Sequence, residues 1–244
     1  MQYLGGKSKT RKQISGFLES VRSPGQTYFE PFVGGAWVLQ EMSGKRIAGD
    51  GNDALIAMYK ALQDGWVPPE DISLDEWKTL RLGKTPEKNP LQAFCRFGCG
   101  FGGDWNGGYA KPDGASYALR SRNSLLRQLP LIKDVEFLYG MYTDHSPKDM
   151  LIYCDPPYAG TTAYGAMGCF DHSRFWNVMR EWSRDNTVVV SEYDAPSDFV
   201  PVLHAVSRMG LRVAKDGCLS QDKREEKLFM LNGTYAHAQD KGAE

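Results

Sequence analysis

The four residues Asp155-Pro156-Pro157-Tyr158 have the types and spacing needed to grip an amine. They follow the apolar run 150–154, which predicts a buried strand, and ligands of open α/β sheets bind outside the carboxyl ends of such strands. Two consecutive prolines remove two N–H donors and fix the turn, so a backbone carbonyl and the Asp155 carboxylate form a pair of acceptors. Such a pair suits a planar NH2 group and draws electron density onto its nitrogen, while Tyr158 can stack on the ring that carries it. The competing interpretation is a strand-ending turn that contains Asp and Tyr incidentally.

A second motif runs from Tyr28 to Gly35 with the sequence Tyr-Phe-Glu-Pro-Phe-Val-Gly-Gly, and Asp50 follows at the next predicted strand end. Glycines at a strand-to-helix turn let the backbone approach a ligand closely. An acid about 20 residues further on is placed to bind a ribose diol. The motif is not GxGxxG, which argues against a dinucleotide, and a purely structural turn is the alternative interpretation.

Near the start of the chain, Gly6-Lys7-Ser8 resembles the end of a phosphate-binding P-loop. The first glycine of that motif would fall at Met1, so this interpretation fails. Lys7 is either a solvated charge or a cation that the following helix brings back to the sheet.

The elements that position these residues follow from the hydrophobic pattern. Apolar runs predict strands, and apolar spacings of three and four predict helices. The predicted strands are 28–29, 46–50, 150–154, 187–191 and 227–231, and the predicted helices are 8–21, 36–42, 55–62, 74–82, 90–97, 115–128 and 172–184. The alternation of strands and helices is lost between about 66 and 143 and then returns. This pattern predicts an α/β protein with a parallel sheet that carries an inserted module.

Within that middle stretch, residues 97–109 alternate aromatic rings with glycines. Either this is a loop whose rings wedge or stack where a base leaves a nucleic-acid helix, or it is a convoluted turn with its rings packed inward. Residues 105–133 contain five basic side chains and one acid, and on a helix Arg120 and Arg127 share a face that can follow a phosphate backbone. A solvated charged face is the commoner outcome of such a pattern. Arg96 is either a phosphate contact or a partner in an ion pair.

Composition and charge exclude several classes of protein. The 244 residues include 29 basic and 30 acidic side chains, so the net charge of −1 excludes binding of nucleic acid by bulk charge alone. The basic side chains are segregated, however, because 1–22 and 105–133 each carry five against one acid, and 208–227 carries six against four. No apolar run approaches the roughly 18 residues of a membrane span. Five cysteines without a CxxC pair and four scattered histidines argue against a disulfide framework and a metal site.

Taken together, these motifs resemble the amino-methyltransferases that use S-adenosylmethionine, specifically the Dam-like DNA adenine-N6 methyltransferases and most closely their phage-type members. The resemblance spans roughly residues 3–231, and the order of the motifs matches the permuted arrangement of that family, in which Asp-Pro-Pro-Tyr comes late. It implies a Rossmann-like methyltransferase sheet with helices on both faces and a small, mainly helical inserted recognition domain. The catalytic core would comprise 1–66 and 140–244, and the insert 67–139.

The resemblance also implies roles for single residues. The expected catalytic residues are Asp155, Pro156, Pro157 and Tyr158. Asp155 and the Pro156 carbonyl would hold the target amine, and Tyr158 would stack on the target base. The residues expected to bind the cofactor are Tyr3, Lys7, Glu30, Pro31, Phe32, Gly34, Gly35, Asp50 and Asp155. The residues expected to bind DNA are Arg96, Trp105, Asn106, Tyr109, Lys111, Arg120, Arg122 and Arg127. The chain departs from the family at Ala36, where the loop often has a third glycine, and at Glu192, where many relatives have Asn after Ser.

The resulting hypothesis is methyl transfer from S-adenosylmethionine to the N6 amine of an adenine flipped out of double-stranded DNA, with S-adenosylhomocysteine as product and no metal. The alternatives are the same chemistry on RNA or a protein amide, a catalytically silent DNA-binding module, and a dinucleotide-dependent oxidoreductase. The basic segment 105–133 favours nucleic acid, the intact Asp155, Tyr158 and Asp50 argue against a silent module, and the absent GxGxxG argues against the oxidoreductase. We expect a monomer without membrane contact in the cytoplasm, which is the host cytoplasm if a phage encodes the protein.

Overall fold

A seven-stranded sheet lies at the centre of the protein. The computed structural model describes residues 1–82, 89–110, 116–158, 170–205, 212–213, 219–220 and 226–234. The strands of the sheet are β1 (Thr27–Glu30), β2 (Arg46–Asp50), β3 (Glu136–Tyr139), β4 (Met150–Cys154), β5 (Thr187–Glu192), β6 (Phe199–Ala205) and β9 (Glu226–Leu231). Two further short strands, β7 (Arg212–Val213) and β8 (Leu219–Ser220), pair with each other in antiparallel fashion.

The directions of the strands determine which strand ends lie at the same edge of the sheet. The order across the sheet is β3-β2-β1-β4-β5-β9-β6. The pairs from β3 to β5 are parallel, whereas β9 runs antiparallel to both of its neighbours. Parallel strands end at the same edge of a sheet, and an antiparallel strand begins there. The carboxyl ends of β1, β2, β4 and β5 therefore share one edge with the first residue of β9, which is Glu226.

Helices cover both faces of the sheet. They are α1 (Arg11–Val21), α2 (Asp53–Gln63), α3 (Leu74–Arg81), α4 (Pro90–Ala93), α5 (Tyr117–Ile132) and α6 (His172–Trp182). Side chains at the N-cap positions accept the first free N–H groups of five of them, from Asn52, Ser73, Asn89, Ser116 and Asp171. No helix in the described ranges is both long and apolar enough to cross a membrane.

Successive residues of a strand point to opposite faces of the sheet, so the strands contribute side chains to two separate apolar cores. Tyr28 of β1 and Tyr153 of β4 face a core that includes side chains of α1 and α2. Phe29 and Ile152, one position away, face a second core with the aromatic side of α6. Strands buried on both faces are apolar throughout, which explains why runs such as 187–191 are recognisable in the sequence. The arrangement confirms the predicted α/β class and is consistent with a Rossmann-like methyltransferase sheet.

The segment expected to form the insert shares the first of these cores. Trp77 of α3, Phe94 after α4 and Leu125 of α5 belong to the same buried cluster as Leu55 of α2. The sheet also extends into the range 67–139, because β3 at its end pairs with β2. The division into a core and a recognition domain stays a prediction.

Two kinds of element differ from the sequence-based prediction. The helix predicted at 36–42 is wrong, because the chain turns after Gly34 and forms only a 3-10 turn at Leu39–Glu41. The backbone reverses at Ala36, whose φ of 54° is incompatible with a continuous α-helix. The strands β3 and β6 were not predicted, since β3 begins and ends on exposed positions and β6 carries Pro201 in its interior.

The left-handed backbone at Ala36 generates a stability prediction. An alanine in this region is strained by about 1–2 kcal/mol. Relative to glycine, alanine also stabilises the fold, because its methyl group is buried and the unfolded chain is less flexible, and the two effects roughly cancel. We therefore expect Ala36→Gly to change the free energy of unfolding by less than about 0.5 kcal/mol in urea titrations. In the helical interior of α2, Ala57→Gly should cost about 1 kcal/mol. Equal losses in the two variants would contradict the strain at position 36.

Candidate active site

Four polar side chains converge at the carboxyl edge of the sheet, on the face covered by α1 and α2. Successive strand residues alternate between faces, and each of the four lies two positions from a side chain of the core on that side. The four are Glu30 at the end of β1, Asp155 directly after β4, Ser191 in β5 and Glu226 at the start of β9. The topology thus brings together residues from distant parts of the sequence.

Lys7 extends a buried ammonium into this group and is only 8% exposed. Its Nζ lies 2.8 Å from Oδ1 of Asp155 and 3.4 Å from Oε1 of Glu226, and it donates a hydrogen bond to the carbonyl of Gly5 at 3.1 Å. The same atom lies 4.8 Å from the centroid of the Tyr158 ring. The carbonyl of Lys7 accepts the first N–H group of α1, which fixes its backbone. Of the two sequence-based interpretations, a cation returned to the sheet describes Lys7.

Glu226 connects the Asp-Pro-Pro-Tyr turn to the opposite side of the pocket. Its Oε1 accepts hydrogen bonds from the Tyr158 hydroxyl and from the Ser191 hydroxyl, each at 3.0 Å. Ser191 in turn lies 2.9 Å from the hydroxyl of Tyr153. Sequence reasoning missed Glu226, because it lies in a segment of alternating basic and acidic residues that reads as a solvated loop. No local sequence signal reveals it, because its position follows from the antiparallel pairing of β9 with β5.

Burial changes the protonation of two of the acids. Burial raises the pKa of Glu30 to about 8, and the nearby charge of Asp155 adds to the effect, while the hydrogen bond from the Tyr28 hydroxyl and the charge of Lys7 oppose it. The Tyr28 oxygen lies 2.7 Å from Oε2 of Glu30. Burial likewise raises the pKa of Asp155, and the Lys7 ammonium lowers it again. Glu30 is therefore mainly neutral at pH 7, whereas Asp155 is paired with a cation.

The glycine loop after β1 is tied to the acid at the end of β2. The N–H of Gly34 donates to Oδ2 of Asp50 at 3.0 Å, and the N–H of Asn52 donates to Oδ1 at 2.9 Å. Burial raises the pKa of Asp50 to about 6, against the opposing effect of these two donors. The hydroxyl of Tyr59 donates to the Gly34 carbonyl at 2.8 Å. The loop and the acid therefore form one rigid wall.

The first residues of the chain lie across this wall. A Cβ at Gly34 would be 2.8 Å from Cε1 of the Tyr3 ring, so glycine permits the close approach. On its other side, the Tyr3 ring packs against Phe97 with 4.6 Å between centroids. Gln128 of α5 donates to the carbonyls of Gly35 at 3.1 Å and Ala36 at 3.0 Å. The loop is thus held from α5 and covered by the N-terminal segment.

The residues predicted to bind DNA fall into two groups, and the first is engaged within the protein. The guanidinium of Arg96 lies 4.3 Å from the Trp105 ring centroid and donates to a backbone carbonyl in α3. Tyr109 donates its hydroxyl to the carbonyl of Ile72. Arg122 donates to the carbonyl of Pro68 at 3.0 Å and has a further contact with a carboxylate. These side chains brace the segment between α2 and α5.

The second group is exposed. Arg120 and Arg127 lie on the outer face of α5, and Asn106 lies in the loop after α4. The ring of Phe101 in that same loop is 72% exposed, unlike the neighbouring rings that pack inward. Lys111 lies outside the described residues. The exposed arginines are seven residues apart on a helix, which places them on one side of it.

The chemistry of the pocket fits a cationic ligand. Four buried or half-buried carboxyl groups, of Glu30, Asp50, Asp155 and Glu226, line the edge, and Lys7 supplies a single positive charge toward them in the described structure. No group of three His, Cys, Asp or Glu side chains in the described ranges is arranged to hold a metal ion.

The seven-stranded α/β sheet with helices on both faces is consistent with a methyltransferase fold. Residues 3–89 match the family model described as D12 class N6 adenine-specific DNA methyltransferase. The match is consistent with the resemblance to the Dam-like adenine methyltransferases. No curated protein matches the chain. The matched segment contains Lys7, Glu30 and Asp50, whereas Asp155 and Glu226 lie beyond it.

The buried Glu30 predicts a pH dependence of stability. An acid with a pKa of about 8 in the folded protein, against its usual 4.5, binds more protons when folded. Its contribution to stability is therefore present below pH 4.5 and is lost as the pH rises to about 8. We expect the difference in unfolding free energy between wild type and Glu30→Gln to shift steadily against the wild type from pH 5.5 to 8.

The control for this prediction is Glu41→Gln. The hydrogen bonds from Gln40 and Arg11 lower the pKa of Glu41 despite some burial, so it titrates below the tested range. Urea unfolding of the three proteins at several pH values gives the comparison. A difference for Glu30→Gln that stays constant from pH 5.5 to 8 would contradict a raised pKa in the folded protein.

Proposed function

We propose that the enzyme transfers a methyl group from S-adenosylmethionine to the N6 amine of an adenine that has left the DNA duplex. The observation that carries the proposal is the position of the Asp155 carboxylate and the Tyr158 ring. They lie beside a buried acidic pocket and the glycine loop, at the edge of the sheet where α/β proteins bind ligands. S-adenosylmethionine supplies an electrophilic methyl group on a sulfonium centre.

Asp155 and the turn that follows it align the amine. The carboxylate accepts one N–H of the adenine amine, and the carbonyl of Pro156 accepts the other, because the two prolines fix the turn that presents this carbonyl. Two acceptors fix the nitrogen lone pair in the direction of attack and increase its electron density. The contribution to the rate comes from alignment and electrostatics rather than from a strong base.

The walls of the pocket bind the cofactor. Asp50 holds the ribose hydroxyls with the lone pairs that remain beside its two backbone donors. Glu30 faces the methionine part, and a cation there favours the ionised form of Glu30. The ring of Phe32 instead packs against Tyr142 and Phe175 in the second core. The Tyr3 ring covers the loop from the solvent side, in contact with Gly34.

The exposed face of α5 contacts the phosphate backbone of the duplex. In the duplex, the amine of adenine is paired with thymine, so the base must rotate out before Asp155 can reach it. Arg120 and Arg127 are exposed on one side of α5 and anchor the flanking phosphates. Arg122 stabilises the protein through its contact with Glu70 instead of binding a phosphate.

The first test of this function is Asp155→Ala. Removal of an oriented acceptor should lower methyl transfer by at least about two orders of magnitude while S-adenosylmethionine still binds. Wild type and variant are expressed in a methylation-deficient host, and N6-methyladenine is mapped across the genome. Single-turnover rates on a duplex with the mapped site, and calorimetry with the cofactor, then separate chemistry from binding.

Asp185→Ala is the matched control, since Asp185 is exposed at the far edge of the sheet, between α6 and β5. It should keep the wild-type rate. A wild type that leaves no N6-methyladenine would overturn the function, and an active Asp155→Ala would overturn the role of the carboxylate.

The DNA interface is tested by charge reversal of Arg120 and Arg127. Loss of two phosphate contacts should weaken duplex binding and reduce the slope of log K against log salt by about 2. Fluorescence anisotropy across a salt series measures both quantities. Arg174→Glu on α6, exposed on the opposite face of the sheet, should leave the slope unchanged. A wild-type slope in the double variant would exclude this face of α5 as the phosphate surface.

A further inference from the structure

The ammonium of Lys7 occupies the place where a target amine would bind. Its Nζ lies 2.8 Å from Oδ1 of Asp155, which is the distance that an amine nitrogen would take from the same oxygen. It also lies against the ring of Tyr158. An incoming amine and Lys7 therefore compete for the same acceptor, and Lys7 has to leave Asp155 before the adenine is aligned.

A second carboxylate is already in reach of the same ammonium. Oε1 of Glu226 lies 3.4 Å from Nζ of Lys7, and the carbonyl of Gly5 lies 3.1 Å from it. A lysine ammonium has three donors, and these two acceptors and Asp155 are among its partners. When the contact with Asp155 is broken, two of the three acceptors stay in place and the ammonium needs only a small movement.

We propose that Glu226 is a positioning residue that takes over the Lys7 ammonium from Asp155 when the target amine enters. This inference rests on the proposed function, because it requires an amine at Asp155. Glu226 also orients the ring against which the base stacks, since it accepts the Tyr158 hydroxyl at 3.0 Å. One carboxylate thus couples the release of Asp155 to the position of the stacking ring.

Charge explains why the second acceptor has to be an acid. Lys7 is 8% exposed, so the loss of both carboxylates would remove the negative charges that lie against a buried ammonium, which costs several kcal/mol. A neutral amide at position 226 could still accept the Tyr158 and Ser191 hydroxyls, but it could not neutralise Lys7. In that variant Lys7 stays on Asp155, and the amine cannot displace it.

The test measures what the amine contributes to binding. Two duplexes contain the methylation site that the genome mapping identifies, one with adenine at the target position and one with purine, which lacks the amine. Their dissociation constants are compared for each protein at saturating S-adenosylhomocysteine, so that no methyl transfer occurs. The ratio of the purine to the adenine constant reports the contact of the amine with Asp155.

The proposal predicts a specific pattern across the variants. Glu226→Gln should reduce this ratio by about tenfold, the size of a charge-assisted hydrogen bond. Combining it with Lys7→Met should restore the ratio to at least the wild-type value, because nothing then blocks Asp155. Glu181→Gln, an exposed acid on α6, should keep the wild-type ratio.

Two results would overturn the proposal: an unchanged ratio in Glu226→Gln, or a reduced ratio that Lys7→Met does not restore. The second is expected if Glu226 merely holds β9 and Tyr158 in place. Circular dichroism and thermal melting check that each variant folds. If Glu226→Gln does not fold, the Lys7→Met variant alone tests the proposal. The ratio of its purine to its adenine dissociation constant must then exceed that of the wild type. If the binding ratios contradict the proposal but the wild type methylates the genome, only the role of Glu226 is wrong. If the wild type leaves no N6-methyladenine, the proposed function itself is wrong.

Discussion

The active site depends on one buried ion pair, between the Lys7 ammonium and the Asp155 carboxylate. A charge in this position is stable only if its hydrogen-bond partners are fixed, and the partners come from three separate parts of the fold. Gly5 precedes α1, Asp155 follows β4, and Glu226 begins β9. The pair therefore joins the N-terminal segment to the sheet, and the Lys7 ammonium opposes the rise in the pKa of Asp155 that burial causes. Under the proposed function the pair has to open, and the second acid that shares the cation makes this possible.

The sheet topology is what allows acids from distant sequence positions to meet. The carboxyl ends of the parallel strands supply Glu30, Asp50 and Asp155, and an all-parallel sheet would place the first residue of any further strand at the opposite edge. Because β9 is antiparallel, Glu226 instead lies at the catalytic edge, 68 residues from its partner Tyr158. The antiparallel direction of β9 thus places a carboxylate beside Lys7 and Tyr158.

The sequence predicts the parts of this site that depend on local pattern. The strand before Asp155 and the strand before Asp50 are recognisable, because strands buried on both faces are continuous apolar runs. The turn at Ala36 was predicted as a helix, since apolar spacing after the two glycines is helical and only the backbone conformation shows the reversal. Glu226 could not be predicted from local pattern at all. Its role comes from the pairing of β9 with β5, a long-range contact that composition and spacing do not encode.

The segment between α2 and β3 combines an exposed basic helix face with side chains that support the glycine loop. Its aromatic side chains pack inward, where Phe97 supports the Tyr3 ring that covers the glycine loop. The 16-residue helix α5 has Arg120 and Arg127 on its exposed face, while Gln128 on its buried face holds the carbonyls of the same loop. A helix of this length moves as one body, so under the proposed function a shift of α5 on the duplex would be transmitted to the loop. Phosphate contacts and cofactor geometry would then be mechanically connected, because the two surfaces belong to a single helix.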